Sequence, residues 1–387
     1  MRINNKYYQT IWYGDDGYIY AIDQRKLPHS FEILQLRTFE DVLFAIKEMV
    51  VRGAPLIGVA AAYGMYLAIK DFNNTSTCAG TTTTTTNNNN DSTNSNNNSN
   101  NIINGTDSAF DFYIAEAANK LKKTRPTAVN LAWAVDSVLA ALSKAPQKSA
   151  NEKELLALST ALFIEKNDIL CCNKIGQNGV ELIKKIYQKK KDCVNILTHC
   201  NAGWLAAVDF GTAIAPIYAS RDAGIPVHVW VDETRPRNQG AALTAFELLH
   251  EEIPHTLISD NTGGYLMQNN MVDIVIVGAD RIAKNGDTAN KIGTYLKALA
   301  AKDNKIDFYV AAPTSTFDEK ILTGKDIIIE ERNISEVLYV SGLTDSGELT
   351  QVRIAPEGTN ASNYAFDITP KDLISAWITE KEIIFNS

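Results

Sequence analysis

Histidine and cysteine are both scarce here, with five of each in 387 residues. The cysteines (Cys78, Cys171, Cys172, Cys193 and Cys200) are odd in number and irregularly spaced. They read as reduced thiols rather than a disulfide framework. No CxxC pair is present, and the vicinal Cys171–Cys172 is poorly arranged to hold one ion, so no metal site is expected. HEEIPH at 250–255 is not the HExxH zinc motif, because its histidines are five apart with a proline between them. No GxGxxG and no P-loop follows any strand, which removes the main support for nicotinamide or ATP chemistry. The opening MRINNKYYQTIWYGDD lacks an apolar signal-peptide core. Cations are outnumbered, 37 Lys and Arg against 45 Asp and Glu, for a net charge of −8. That balance argues against nucleic acid or an anionic membrane as the main partner. It leaves room for a small anion held by a few local cations. The uncharged run 53–69 is short for a membrane span and contains Gly58 and Gly64, so it reads as a buried core helix.

What is present divides the chain in two. Residues 1 to about 35 hold short aromatic and β-branched runs around Gly14-Asp15-Asp16-Gly17, the pattern of a small meander. Thr38 opens a helix with Asp41 in capping-box position, expected to stop near Arg52-Gly53. Pro55 can begin the next helix. Residues 73–106 are Asn/Thr-rich and nearly free of apolar side chains, and are expected to be a disordered insertion between two helices. Helices are expected at 107–123, 126–144 and about 151–190, the last with a break near Cys171 to Gly179. From Cys193 strands and helices alternate, which predicts a doubly wound parallel sheet. The fold class is therefore α/β. A helical N-terminal domain with a small β-meander (1–172) precedes a Rossmann-like domain (173–387).

The chain is organised around VNILTHCNAG (194–203). It has the profile of a buried strand delivering polar side chains to its C-terminal end just before a helix, where ligands collect in open α/β sheets. The amide end of such a helix would favour the thiolate of Cys200. His199 should face away from Cys200, since strand neighbours point to opposite faces. Three later strands end at Asp232-Glu233, Asp260 and Asp280. Asp280 follows the very apolar DIVIVGA, where desolvation favours the protonated form and suits a general acid. Asp232, Glu233 and Asp260 read as caps. Arg52-Gly53-Ala54-Pro55 and Arg125-Pro126 each place an arginine ahead of a proline that can open a helix, an arrangement suited to anions. Alone each is an ordinary turn; together they suggest one phosphate held from two sides. Gln239, Asn290 and Lys291 lie in polar stretches that follow strands and read equally well as plain loops.

Taken together, RGAPLIGVAAAYG (52–64), RPTAVNLAWAV (125–135), ILTHCNAG (196–203), DETRPRNQGA (232–241), ISDN (258–261) and VGADRIAKNGDTANKIGT (277–294) resemble the methylthioribose-1-phosphate isomerase family. FYVAAPTSTFD (308–318) and NYAFDITP (363–370) match as well. The resemblance implies conversion of 5-methylthioribose 1-phosphate to 5-methylthioribulose 1-phosphate in methionine salvage, with no cofactor and no metal. It implies a homodimer, cytoplasmic and also nuclear. Carried over by position, Cys200 and Asp280 match the catalytic pair. Arg52, Gly53, Ala54, Arg125, Gln239, Asn290 and Lys291 match substrate contacts. Whether hydrogen moves from C2 to C1 as a proton or a hydride stays open. Trp204 departs from the family pattern, and its bulk is expected to shape the pocket. Two alternatives remain. One is a non-catalytic regulatory subunit of the translation-initiation guanine-nucleotide exchange factor, which shares the fold. The other is a ribose-1,5-bisphosphate isomerase, which would need a second phosphate site.

Overall fold

The computed structural model describes residues 1–3, 6–79 and 99–386, with side chains at all of these except 76–79 and 99–107. After a short antiparallel pairing of Arg2–Ile3 with Lys6–Tyr7, the N-terminal part forms an antiparallel meander of β1 (Ile11–Tyr13), β2 (Ile19–Ile22) and β3 (Ile33–Leu36). Thr38 and Asp41 form the expected capping box for α1 (Phe39–Lys47). The helix stops earlier than its apolar pattern suggests. Glu48 is its C-cap and Met49 turns left-handed at φ 58°, so Val50 and Val51 enter the core as a linker.

Helix α2 (Ala54–Ala79) is the axis of this half. Leu56 to Ile69 is buried almost throughout, with α1, α3 (Ser99–Thr124), α4 (Val129–Ser143) and α5 (Ala150–Lys190) packed around it. A helix apolar all round belongs inside a core, and no helix among the described residues is long and apolar enough to cross a membrane. The Asn/Thr tract was expected to be disordered from 73 to 106. Instead α2 runs into it as far as Ala79 and α3 begins within it at Ser99. The rest of that expectation lies outside the described residues.

Helix α5 departs from expectation in a second way. It is one helix of 41 residues, capped by a Ser149–Glu152 box, and runs without a break through Cys171–Gly179. A boundary at 172 therefore falls inside a helix. Gly176 and Gly179 are there for close packing rather than for a turn. A Cβ on Gly179 would overlap Pro216, at the start of α6 (Ala215–Asp222). The first half of α5 buries Ala157, Ala161 and Ile164 among the helices, and the second half lays Ile175, Leu182 and Ile183 on the sheet.

That sheet contains β4 (Val194–Thr198), β5 (Val227–Asp232), β6 (His255–Ile258), β7 (Ile274–Val277), β10 (Asp307–Ala311), β12 (Ala376–Ile378) and β13 (Ile383–Phe385). The spatial order is β13-β12-β10-β7-β4-β5-β6, with every neighbouring pair parallel except β13 on β12. β4 is first in sequence among these strands yet interior in space, so the chain winds outward in both directions. The switch point lies between β4 and β7, where a crevice opens beyond the strand ends. A second small sheet sits over that crevice. It pairs β8 (Arg281–Ala283) with β9 (Thr288–Lys291) and β9 with β11 (Phe366–Thr369), while Phe317–Asp318 lies on the other side of β8. Asn290 and Lys291 are thus strand residues rather than loop residues.

Candidate active site

The crevice is a cavity lined by Arg52, Gly53, Ala54, Arg125, Cys200, Gln239, Asp280, Asn290 and Lys291, together with His199, Asn201 and Phe366. All nine residues singled out in the sequence meet there. They come from the start of α2, the segment just before α4 (Arg125), the ends of β4 and β7, the turn after β5 (Gln239) and the β9 strand of the overlying sheet.

After β4 the expected helix does not form. A single 3-10 turn, Trp204–Ala206, leads into an extended loop that reaches α6 only at Ala215. Buried acids hold this loop: Glu247 accepts from the Leu205 N–H and Asp168 from the Val208 N–H, both at 2.8 Å. Trp204 is buried in the core under the sheet and does not line the cavity, so its bulk does not shape the pocket. Cys200 itself adopts φ 64°, a left-handed conformation uncommon away from glycine. Its N–H donates to Thr234 Oγ1 at 2.8 Å, its carbonyl accepts from Thr244 Oγ1 at 2.7 Å, and its thiol points at Gln239 Oε1, 3.4 Å away. Backbone strain held by such contacts marks a position whose side-chain direction matters.

Asp280 lies three residues beyond the β7 end, after Gly278-Ala279, is half-buried and lines the cavity. Burial raises its carboxyl above the ordinary range, while Lys291, Arg125 and Arg52 pull it back down without cancelling the rise. Its side chain makes no hydrogen bond to other described residues. Arg281, the alternative partner, is instead tied to the Thr127 and Pro126 carbonyls and to Asp318.

The cations come next. Gly53 has φ 102°, and a Cβ there would lie 2.5 Å from the Ala206 carbonyl oxygen, so only glycine lets α2 begin against the loop after Cys200. Arg52, just before it, is 8% exposed and donates to both the side-chain and main-chain oxygens of Asn201. Arg125 is 6% exposed; its Nε donates to Glu330 Oε2 at 3.2 Å, and its buried NH1 has no partner. Pro126 does not open a helix as expected. α4 begins at Val129, whose N–H reaches the Asp280 carbonyl at 3.3 Å. Thr127 is instead drawn to Glu330 and Ile328. Lys291 is 7% exposed with its ammonium 4.8 Å from the Phe366 ring centre. Burial lowers its proton affinity and that of Arg52, with Cys200 and Asp280 acting in the opposite sense in both cases. Arg125 has Glu330, but among the described residues Arg52 and Lys291 have no carboxylate in salt-bridge contact, and buried cations without matched anions call for an anionic ligand.

His199 faces away from Cys200. Nδ1 meets Asp232 Oδ2 and Nε2 the Ile292 carbonyl, both at 2.8 Å. Asp232 is therefore not a cap: it joins His199 to Lys297, whose ammonium is 3.2 Å away. Asp260 is not a helix cap either: it takes the Thr234 and Arg235 N–H groups in the turn after β5, while the helix that follows it has Asn261 at its N-cap with no side-chain cap bond. His199, Asp232 and Asp260 could converge on an ion. The Lys297 ammonium already supplies a cation to Asp232, and Asp260 is engaged with backbone. Asn201, Glu247, Glu330 and Phe366 escaped the sequence reading. Asn201 stood inside the polar cluster after β4, whereas nothing in the run around Glu330 signals its distant partner Arg125.

Fold and site thus define a Rossmann-like protein with a cation-lined cavity at the switch point of its sheet. The model of the "Initiation factor 2 subunit family" matches residues 50–384. Methylthioribose-1-phosphate isomerase of Methylocella silvestris is 49% identical, over 99% of this chain and 95% of that one. The crystal structure of 5-methylthioribose 1-phosphate isomerase from Pyrococcus horikoshii OT3 superposes with a TM-score of 0.76 at 36% identity, over 98% of this chain and 93% of that one. The structure of translation initiation factor eIF-2B subunit delta from A. fulgidus gives 0.71, also at 36% identity, over 98% and 96%. The chain belongs to the initiation factor 2 subunit family and, within it, to the methylthioribose-1-phosphate isomerases.

Proposed function

We infer that this cavity isomerises 5-methylthioribose 1-phosphate to 5-methylthioribulose 1-phosphate, with Asp280 as general acid/base and Cys200 as its partner at the C1–C2 edge. The observation that carries the assignment is spatial. The two residues stand just beyond the ends of adjacent strands, in one cavity with the buried Arg52, Arg125 and Lys291.

The phosphate on the anomeric oxygen blocks spontaneous ring opening, so the ring C1–O bond needs an acid as it breaks. Asp280 gives its proton to the ring oxygen, which becomes the C4 hydroxyl. The hydrogen on C2 then passes to C1 while the C2 hydroxyl becomes the ketone and gives its proton to the Cys200–Asp280 pair, restoring the one that Asp280 donated, so the product is an isomer with nothing gained or lost. Low water content protects whichever transfer follows. Arg52, Arg125 and Lys291 hold the phosphate, and the free amides beside Gly53 and Ala54 add a helix N-terminus. Gln239 orients the Cys200 thiol, and Asn290 takes a sugar hydroxyl.

Binding also tunes the acid. The three cations hold the Asp280 proton affinity down, and a bound phosphate offsets them. Substrate thus brings Asp280 closer to its protonated, donating form. A homodimeric enzyme, cytoplasmic and also nuclear, belongs to the same proposal and rests on family likeness alone. Incubation of the protein with methylthioribose 1-phosphate tests the function: a ketose phosphate should accumulate, and unphosphorylated methylthioribose should remain unchanged. No ketose from the phosphorylated sugar would favour the regulatory reading.

A further inference from the structure

Glu247 never touches the cavity, yet it governs a group that does. It lies on α7 (Ala245–His250), is fully buried, and has no arginine or lysine in salt-bridge contact among the described residues. It accepts three hydrogen bonds. Oε1 takes Asn201 Nδ2 at 3.0 Å and the Leu205 N–H at 2.8 Å, and Oε2 takes the Tyr218 hydroxyl at 2.8 Å. Asn201 Nδ2 has a second acceptor, Thr244 Oγ1 at 3.2 Å. With its amide nitrogen committed twice, the Asn201 side chain can be oriented one way only, with Oδ1 toward Arg52. Oδ1 and the Asn201 main-chain carbonyl then accept from two different guanidinium nitrogens.

We propose that Glu247 is a positioning residue that, through Asn201, locks the Arg52 guanidinium in the orientation that grips the substrate phosphate. The geometry gives the reason. A guanidinium is a planar fork, and fixing two of its nitrogens fixes the direction of its remaining N–H groups. Without an acceptor at 247 the Asn201 amide keeps only its longer bond to Thr244 Oγ1, so the side chain is held less firmly and the fork loses its fixed aim. Glu247 also fixes Leu205, one residue before the Ala206 on which Gly53 packs. One buried carboxyl therefore sets both Arg52 and the backbone beneath Gly53. This inference rests on the phosphate-gripping role of Arg52 stated above.

The test uses Glu247→Met, which keeps the side-chain length without an acceptor, and Glu247→Gln, which keeps one. Arg52→Ala and the Glu247→Met/Arg52→Ala double variant complete the set. Calorimetric titration with inorganic phosphate and steady-state kinetics with the sugar phosphate are the readouts. Glu247→Met should weaken phosphate binding and raise KM about tenfold, the scale of one charged hydrogen bond, with a smaller change in kcat. Glu247→Gln should recover most of that loss. In the Arg52→Ala background Glu247→Met should add nothing further, since the group it positions is gone. Full additivity, or wild-type phosphate affinity in folded Glu247→Met, overturns the inference. Should Glu247→Met not fold, Asn201→Ala leaves Glu247 its bonds to Leu205 and Tyr218 and must show the same weakening; unchanged phosphate affinity there also overturns it. An Arg52→Ala variant that binds phosphate normally refutes the phosphate grip itself, a separate failure.

Discussion

Arg125 donates its Nε to Glu330, 205 positions later in the chain, and leaves a buried NH1 with no partner. A buried unpaired donor is costly unless something else occupies its open side. Arg125 lines the cavity shared with Arg52 and Lys291. Arg125→Ala and Arg52→Ala should each weaken binding of the phosphorylated sugar by roughly 1.5–3 kcal/mol. The combined loss should fall short of the sum, because both act on one phosphate. Titration of the phosphorylated and unphosphorylated sugars against the four proteins measures this. Equal losses for both sugars would mean that the arginines support the fold.

Gly53→Ala should damage the site more than its size suggests. The position combines φ 102° with a Cβ 2.5 Å from the Ala206 carbonyl oxygen, so alanine brings both strain and a backbone clash. A left-handed non-glycine residue costs on the order of 1–3 kcal/mol. A lower melting temperature together with weaker phosphate binding is expected. An unchanged protein would show that α2 is free to shift against the loop after Cys200.

Asp280 should leave a mark on the pH profile. Its proton affinity is raised by burial and restrained by Lys291, Arg125 and Arg52. Activity that needs the protonated acid is lost as pH rises through this raised value. Because phosphate offsets the restraining cations, the alkaline limb of kcat should lie at higher pH than that of kcat/KM. Coincident limbs, or the reverse order, would contradict this account of the acid.

Asp168 carries a stability signature. Burial raises it from 3.8 to about 7, so the folded protein binds its proton more tightly than the unfolded chain. Its contribution is full below about pH 4 and is lost as pH rises towards 7. Asp168→Asn can still accept from the Val208 N–H without ionising. Relative to wild type it should gain stability between pH 4 and 7, by on the order of a few kcal/mol. Parallel pH-stability curves for the two proteins would refute this.

The strand ends could be read directly, because parallel strands are apolar runs and the polar residues that close them stand out. Cys200 and Asp280 were found that way. Arg52-Gly53 was visible through the proline that starts α2. The arginine–proline pattern points to Arg125 for only part of the physical reason: α4 begins at Val129, and Glu330 rather than a helix start holds the arginine. The unbroken α5 was missed because glycine in a helix reads as a breaker until the neighbour that needs the space, Pro216, is known. Likewise Asn290 and Lys291 looked like loop residues, since the antiparallel partners of β9 lie on either side of it in sequence, one of them far away. Glu247 had no signal at all. Its function lies entirely in the three donors that folding brings to it.

The most direct test of the central claim is turnover of methylthioribose 1-phosphate by the wild type, Asp280→Asn and Cys200→Ser at saturating substrate, with folding checked by circular dichroism. Removing a positioned acid or base typically costs about 10²–10⁴-fold. The account predicts ketose formation by the wild type, a loss of that order in each variant, and little change in phosphate binding. Near-wild-type turnover by either folded variant would remove that residue from the chemistry and contradict the catalytic pair.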